Sequence, residues 1–193
     1  MSPAGRRGRQ GQAAEGIPGR PVLQVALDLL ELDRAVVIAR EAISGGADWV
    51  EAGTPLIKSA GMEAVRRLRE EFPGREIVAD MKVADTGTLE VEMAAKSGAG
   101  IVCILATADD EVVREAVRAK HLYGVRIMAD LINSPDPVSR AVRLEELGVD
   151  IIAAHAGIDQ QMVGITSVDL VKDLAGKVSI PIAVAGGLDA DSA

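Results

Sequence analysis

The sequence is poor in cysteine, histidine and aromatic residues. Its single cysteine, Cys103, cannot form an intramolecular disulfide. The residue lies in the apolar run "IVCILA", where a thiol is normally an inert packing group rather than a nucleophile. A fold built without disulfides suits a reducing compartment, so a cytoplasmic location is expected. Trp49, Phe72 and Tyr123 are the only aromatics, too few for a platform that stacks nucleic-acid bases. A net charge of −8 also argues against a polyanionic partner. No apolar run approaches the roughly 18 residues needed to span a membrane, and no membrane partner is expected.

What is present is ordinary for a globular protein: 48% hydrophobic and 26% charged residues. A chain of 193 residues can bury one substantial core, but two full domains are not expected. Charge is unevenly spread. Residues 1–20 carry Arg6, Arg7, Arg9 and Arg20 against Glu15, a net of +3, which leaves −11 for the remainder. This segment has no apolar period and reads as a disordered basic tail. A transit peptide would need the apolar face that it lacks.

From residue 21 to 193 the pattern is that of one α/β domain. Short apolar or β-branched runs occur at 22–28, 49–53, 76–80, 101–106, 125–131, 150–156 and 180–187. Amphipathic stretches such as "DRAVVIAREAISGG" and "GMEAVRRLREEF" separate them. In the second, Met62, Val65, Leu68 and Phe72 recur at helical spacing. Glycines punctuate the helix ends. Strands alternating with helices predict a parallel sheet, either open and doubly wound or closed as a (β/α)₈ TIM-type barrel. Polar residues end several of the runs: Asp28, Glu51, Asp80, Asp130 and His155, with Gly186-Gly187 after the seventh. Contributions from so many strands converge on one place only if the sheet closes, so the barrel is the expected architecture. Seven runs are counted and the chain stops at "LDADSA". The barrel is therefore expected to be C-terminally incomplete, lacking strand eight.

The stretch "IVADMKVADTG" (77–87) gathers Asp80, Lys82 and Asp85 where a strand ends. Charged groups are seldom buried without partners. Asp80 and Lys82 are two apart, so both face the barrel mouth, whereas Asp85 opens the next loop. The spacing D-x-K-x-x-D after a third strand resembles the signature of the orotidine 5′-monophosphate decarboxylase superfamily. "LQVALDLLELDRA", "EAGTPLIKSAGM", "ADMKVADTG" and "VAGGLDADSA" look, within it, like the 3-hexulose-6-phosphate synthases. The resemblance covers residues 21–193.

The resemblance implies a Mg²⁺ ion on Glu51 and Asp80, which suits a hard cation that takes one or two carboxylates and keeps several waters. It further implies Lys82 beside an enediolate oxygen, Asp28 on substrate hydroxyls, and Asp85 reaching the site of the neighbouring subunit in a homodimer. As a local alternative, Asp85 caps the helix that begins near Thr88. Gly186 and Gly187 supply half of a phosphate cradle. The other half, after strand eight, has no counterpart here, which counts against activity of these residues alone. His155 reads equally as a satisfied core histidine or as an acid/base at a strand's carboxyl end. His121, near a helix end, is expected to have no catalytic role. The orotidylate decarboxylases lack a histidine matching His155. The related 3-keto-L-gulonate 6-phosphate decarboxylases carry arginines shortly after theirs, where this chain has Ala156, Gly157 and Ile158. The implied reaction is aldol condensation of formaldehyde with D-ribulose 5-phosphate. Decarboxylation of 3-keto-L-gulonate 6-phosphate is the alternative, and a non-catalytic barrel module of a fusion protein a third.

Overall fold

The computed structural model describes residues 20–164 and 166–189. The basic tail expected over 1–20 lies outside them, except for Arg20, whose guanidinium forks onto Asp48 (Nη2–Oδ1 2.6 Å, Nη1–Oδ2 3.2 Å). In chain order the elements are β1 (Gln24–Leu27), α1 (Leu32–Ser44), β2 (Trp49–Ala52), α2 (Thr54–Ala60), α3 (Glu63–Glu71), β3 (Glu76–Val83), α4 (Gly87–Lys96), β4 (Ile101–Leu105), α5 (Asp110–Tyr123), β5 (Arg126–Asp130), α6 (Pro137–Leu147), β6 (Ile151–His155), α7 (Ile158–Gln161), α8 (Ser167–Leu174) and β7 (Ile182–Ala185).

All seven expected strands form one parallel sheet in the order β1-β2-β3-β4-β5-β6-β7. Their local causes are legible. In α1, Ala35, Val36 and Ala39 make the buried stripe, and Gly45-Gly46 ends the helix. α6 starts where Asp136 accepts a hydrogen bond from Ser139 N–H (3.1 Å) ahead of Pro137, and it stops at Gly148 (φ +96°). The helix α2, directly after β2, is not expected from the periodicity.

Two apolar layers follow from the alternation of side chains along each strand. Leu27, Val50, Ile77, Ala79, Val102, Ile104, Ile127 and Ile152 point outward and pack against the helices. Trp49, Val78, Ile101, Cys103, Met128, Ile151 and Ala153 form a second cluster on the inner face. The sheet is curled: the Arg126 guanidinium of β5 sits 5.4 Å from the Trp49 ring centroid of β2. More decisively, Asp28 after β1 and His155 of β6 line one cavity, whereas in a flat sheet strands five steps apart would lie roughly 24 Å from one another. The architecture is thus the expected TIM-type barrel, with seven strands among the described residues. Among those residues no helix is long and apolar enough to cross a membrane.

β3 departs from its expected range of 76–80 by running on to Val83. Ala79 pairs with Val102 and Val83 with Ile104, so four steps along β3 match two along β4. This bulge takes up Asp80, Met81 and Lys82, and Lys82 adopts the left-handed region at φ 47°. A non-glycine residue there costs about 1–2 kcal/mol. Bulges of this kind re-aim side chains beside functional sites.

Candidate active site

A cavity of about 840 Å³ opens at the carboxyl ends of the strands, lined by Asp28, Leu30, Thr54, Pro55, Lys58, Ser59, Asp80, Lys82, His155 and Ile158. Asp28 follows the last residue of β1, one position beyond the strand it was expected to end. Glycine is favoured opposite it: a Cβ on Gly53 would stand 2.8 Å from the Leu27 carbonyl oxygen as well as 2.2 Å from Asp28 Oδ1. Asp80 and Lys82 come from the bulge of β3, and His155 ends β6.

The charges are organised around Lys82. Its ammonium donates to Asp80 (Oδ2 2.9 Å, Oδ1 3.1 Å) and, across the inner face, to Asp130 Oδ2 (2.8 Å). The ion pairs that the bulge creates offset the backbone cost of Lys82. Burial would lower the Lys82 pKa, but the charges of Asp80 and Asp130 raise it above its ordinary value, so the ammonium stays protonated. Thr54, at the start of α2, places its hydroxyl 2.8 Å from both Asp80 Oδ2 and the Asp80 carbonyl oxygen.

Asp130 is the residue whose importance the sequence understates. It is 4% exposed. Its Oδ1 accepts from Ile132 N–H (2.9 Å), and Oδ2 is shared between Lys82 Nζ and His155 Nδ1, each at 2.8 Å. Burial opposes its ionisation, yet His155 and Lys82 hold the carboxyl below the usual carboxylate range. An ionised carboxylate can only accept a hydrogen bond, so Nδ1 of neutral His155 carries the proton and Nε2 bears the lone pair. Its polarity and its place at the end of a strand were the available signal. The contact partners, 48 and 25 residues away in sequence, were not readable.

Glu51 lies half-buried on the inner face of β2, outside the residues that line the cavity. Its side-chain partner among the described residues is the Gln24 amide. Burial first, and then the negative charge of Asp80, pushes its carboxyl upward. The Asp28 carboxyl is also raised, by partial burial and by Asp80. Asp85 is exposed; its Oδ1 accepts from Thr86 N–H (2.7 Å), and the residue does not line this cavity. The helix α4 begins at Gly87, with Thr86 before it in a left-handed conformation and no side chain capping the helix start.

Gly186 and Gly187 line a second, neighbouring pocket of about 440 Å³ with Gln161, Ser167 and Asp169. Gly186 sits at φ +89°, and a Cβ there would stand 2.0 Å from the Ala156 carbonyl oxygen. Ser167 Oγ donates to the Gly186 carbonyl (2.9 Å). Cys103 is buried in the inner cluster, where desolvation raises its pKa well above the ordinary value and leaves an unreactive thiol. His121 lies exposed in the last turn of α5, away from the cavity.

The family model described as "Orotidine 5'-phosphate decarboxylase / HUMPS family" matches residues 21–186. The 3-hexulose-6-phosphate synthase of Bacillus subtilis (strain 168) is 35% identical over 171 residues, which is 88% of this chain and 81% of that protein. A crystal structure of a 3-hexulose-6-phosphate synthase superposes with a TM-score of 0.83 at 35% identity, covering 88% of this chain and 81% of the other. The 3-keto-L-gulonate-6-phosphate decarboxylase of Vibrio cholerae O1 biovar El Tor str. N16961 gives a TM-score of 0.78 at 28% identity, covering 87% and 79%. Sequence and fold agree over nearly all of the described barrel: the chain belongs to the orotidine 5′-phosphate decarboxylase / HUMPS family and is an enzyme of the lyase class.

Proposed function

We propose that the enzyme is a 3-hexulose-6-phosphate synthase, joining formaldehyde to D-ribulose 5-phosphate to give D-arabino-hex-3-ulose 6-phosphate, or running the reverse cleavage. The observation that carries the reading is the Lys82–Asp130–His155 chain beside the cavity. It supplies a permanent cation and a base whose proton-accepting nitrogen is set by its partner. The named synthase relatives support the same reading.

His155 Nε2 takes a proton from C1 of ribulose 5-phosphate, the carbon beside the ketone. The electron pair moves onto the C2 oxygen, and Lys82 stabilises the resulting enediolate electrostatically. C1 then attacks the carbonyl carbon of formaldehyde. The imidazolium returns its proton to the aldehyde oxygen, which completes the new hydroxymethyl group. Asp28 hydrogen-bonds substrate hydroxyls, and the Gly186–Gly187 turn contributes backbone to the phosphate.

The residues suit a Mg²⁺ ion. Glu51 and Asp80 offer hard oxygen donors from adjacent strands, and Lys82 bonds Asp80 and Asp130, so that among the described residues no Lys or Arg forms a salt bridge with Glu51. Among the described residues no group of three or more His, Cys, Asp or Glu is arranged to hold a metal; Mg²⁺ ordinarily takes one or two carboxylates and completes its shell with water and substrate. When bound, such an ion supplies Lewis-acid polarisation of the substrate's ketone oxygen.

The reading includes a cytoplasmic homodimer in which Asp85 serves the neighbouring site. Its exposed position outside its own cavity supports that role. The decarboxylase alternative is disfavoured by the stretch after His155, where this chain has Ala156, Gly157 and the cavity-lining Ile158 and the decarboxylases carry arginines.

The test is direct. Purified enzyme with Mg²⁺ should consume formaldehyde only when ribulose 5-phosphate is present. EDTA should abolish the rate and Mg²⁺ should restore it. Faster turnover of 3-keto-L-gulonate 6-phosphate would reverse the order of the two readings, and indifference to EDTA would remove the metal.

A further inference from the structure

We propose that Gln24 is a positioning residue for Glu51: its amide fixes that carboxylate beside Asp80, so that the pair meets a divalent cation already oriented. The proposal rests on the Mg²⁺ reading above. Gln24 pairs in register with Trp49, and Ala26 with Glu51, so Gln24 and Glu51 stand on the same inner face one pleat apart. Gln24 Nε2 donates to Glu51 Oε2.

The two carboxylates differ in how they are held. Asp80 is fixed by the Lys82 ammonium and the Thr54 hydroxyl. Glu51 has Gln24, and its side chain would otherwise be free to turn about three torsions. With Oε2 occupied by the amide, Oε1 remains for a metal. A neutral donor suits this role because it orients the carboxylate without cancelling its charge. Partners that fix a ligand from outside typically change metal affinity 10–100-fold when removed.

Mn²⁺ binding to the metal-stripped full chain, followed by electron paramagnetic resonance, gives a readout independent of turnover. Mn²⁺ shares the preference of Mg²⁺ for carboxylate and water. Gln24→Met keeps the side chain's length and removes the donor. It should weaken Mn²⁺ binding roughly 10–100-fold while circular dichroism shows a native melt. If Gln24→Met does not fold, Gln24→Asn, one methylene short of Glu51, should show the same loss. The double variant Gln24→Met/Glu51→Gln should bind no more weakly than Glu51→Gln alone, because Gln24 acts through Glu51. A wild type that binds Mn²⁺ alongside a folded Gln24 variant within threefold of it overturns the role of Gln24 and leaves the metal reading standing. A further tenfold loss in the double variant also overturns it. A wild type that binds no Mn²⁺ at millimolar concentration overturns both.

Discussion

His155 Nδ1 and Lys82 Nζ both lie 2.8 Å from a single oxygen, Oδ2 of Asp130. One buried carboxylate therefore sets the tautomer of neutral His155 and holds the cation that, in the proposed reaction, would face the developing negative charge. Asp130→Asn preserves shape but can offer Nδ1 a donor in place of an acceptor, turning the lone pair away from the substrate. The expected result is a fall in kcat of roughly 10²–10⁴-fold with KM changed little. Steady-state formaldehyde consumption measures it. A variant within threefold of wild type would mean that His155 needs no such partner.

Lys82 combines a left-handed backbone with two ion pairs to buried or nearly buried carboxylates. Lys82→Met leaves Asp80 and Asp130 without their shared cation. Stability should drop by roughly 3 kcal/mol, the loss typical of breaking a buried pair, and activity should vanish. Lys82→Gly should be equally inactive but less destabilised, since glycine accepts φ 47° freely. Thermal melts of the two variants at one pH decide the matter; a Met variant as stable as the Gly variant would remove the backbone from the account.

Asp48 gives a pH dependence of known sign. The hydrogen bond from Arg20, then that from Leu23 N–H (3.0 Å), lowers its carboxyl from 3.8 to about 2. The folded value lies below the unfolded one, so the stabilisation is fully present above the unfolded value. It fades as pH falls from 3.8 towards 2. Wild type should exceed Asp48→Asn in urea midpoint at pH 6, and the gap should close as pH approaches 2. A gap that is constant with pH would assign the effect to shape instead of charge.

Asp85 tests the proposed homodimer with shared sites. Asp85→Ala and His155→Ala protomers should each be inactive alone. Mixed and allowed to exchange, they form dimers in which one site carries both native residues, so activity should partly return. With exchange confirmed by mass, no recovery would place the role of Asp85 within its own subunit, at the Thr86 amide it already contacts (2.7 Å).

Much of this protein is written locally. Short continuous apolar runs set the seven strands because both faces of the parallel sheet are buried, and glycines with Asp136-Pro137 set helix boundaries through backbone conformation. The strand period put Asp80 and Lys82 into one cavity, since residues two apart share a face. The curl of the sheet decided the rest. It carried Lys82 of β3 to Asp130 of β5, 48 residues on, and so joined the cation to His155. It also left Asp85 outside its own cavity. The bulge in β3 is legible only against β4, because register belongs to a pair of strands and not to either sequence alone. Gln24 shows the same limit: its sequence position makes it one more polar residue in the first strand, and only the neighbouring strand supplies the carboxylate it holds.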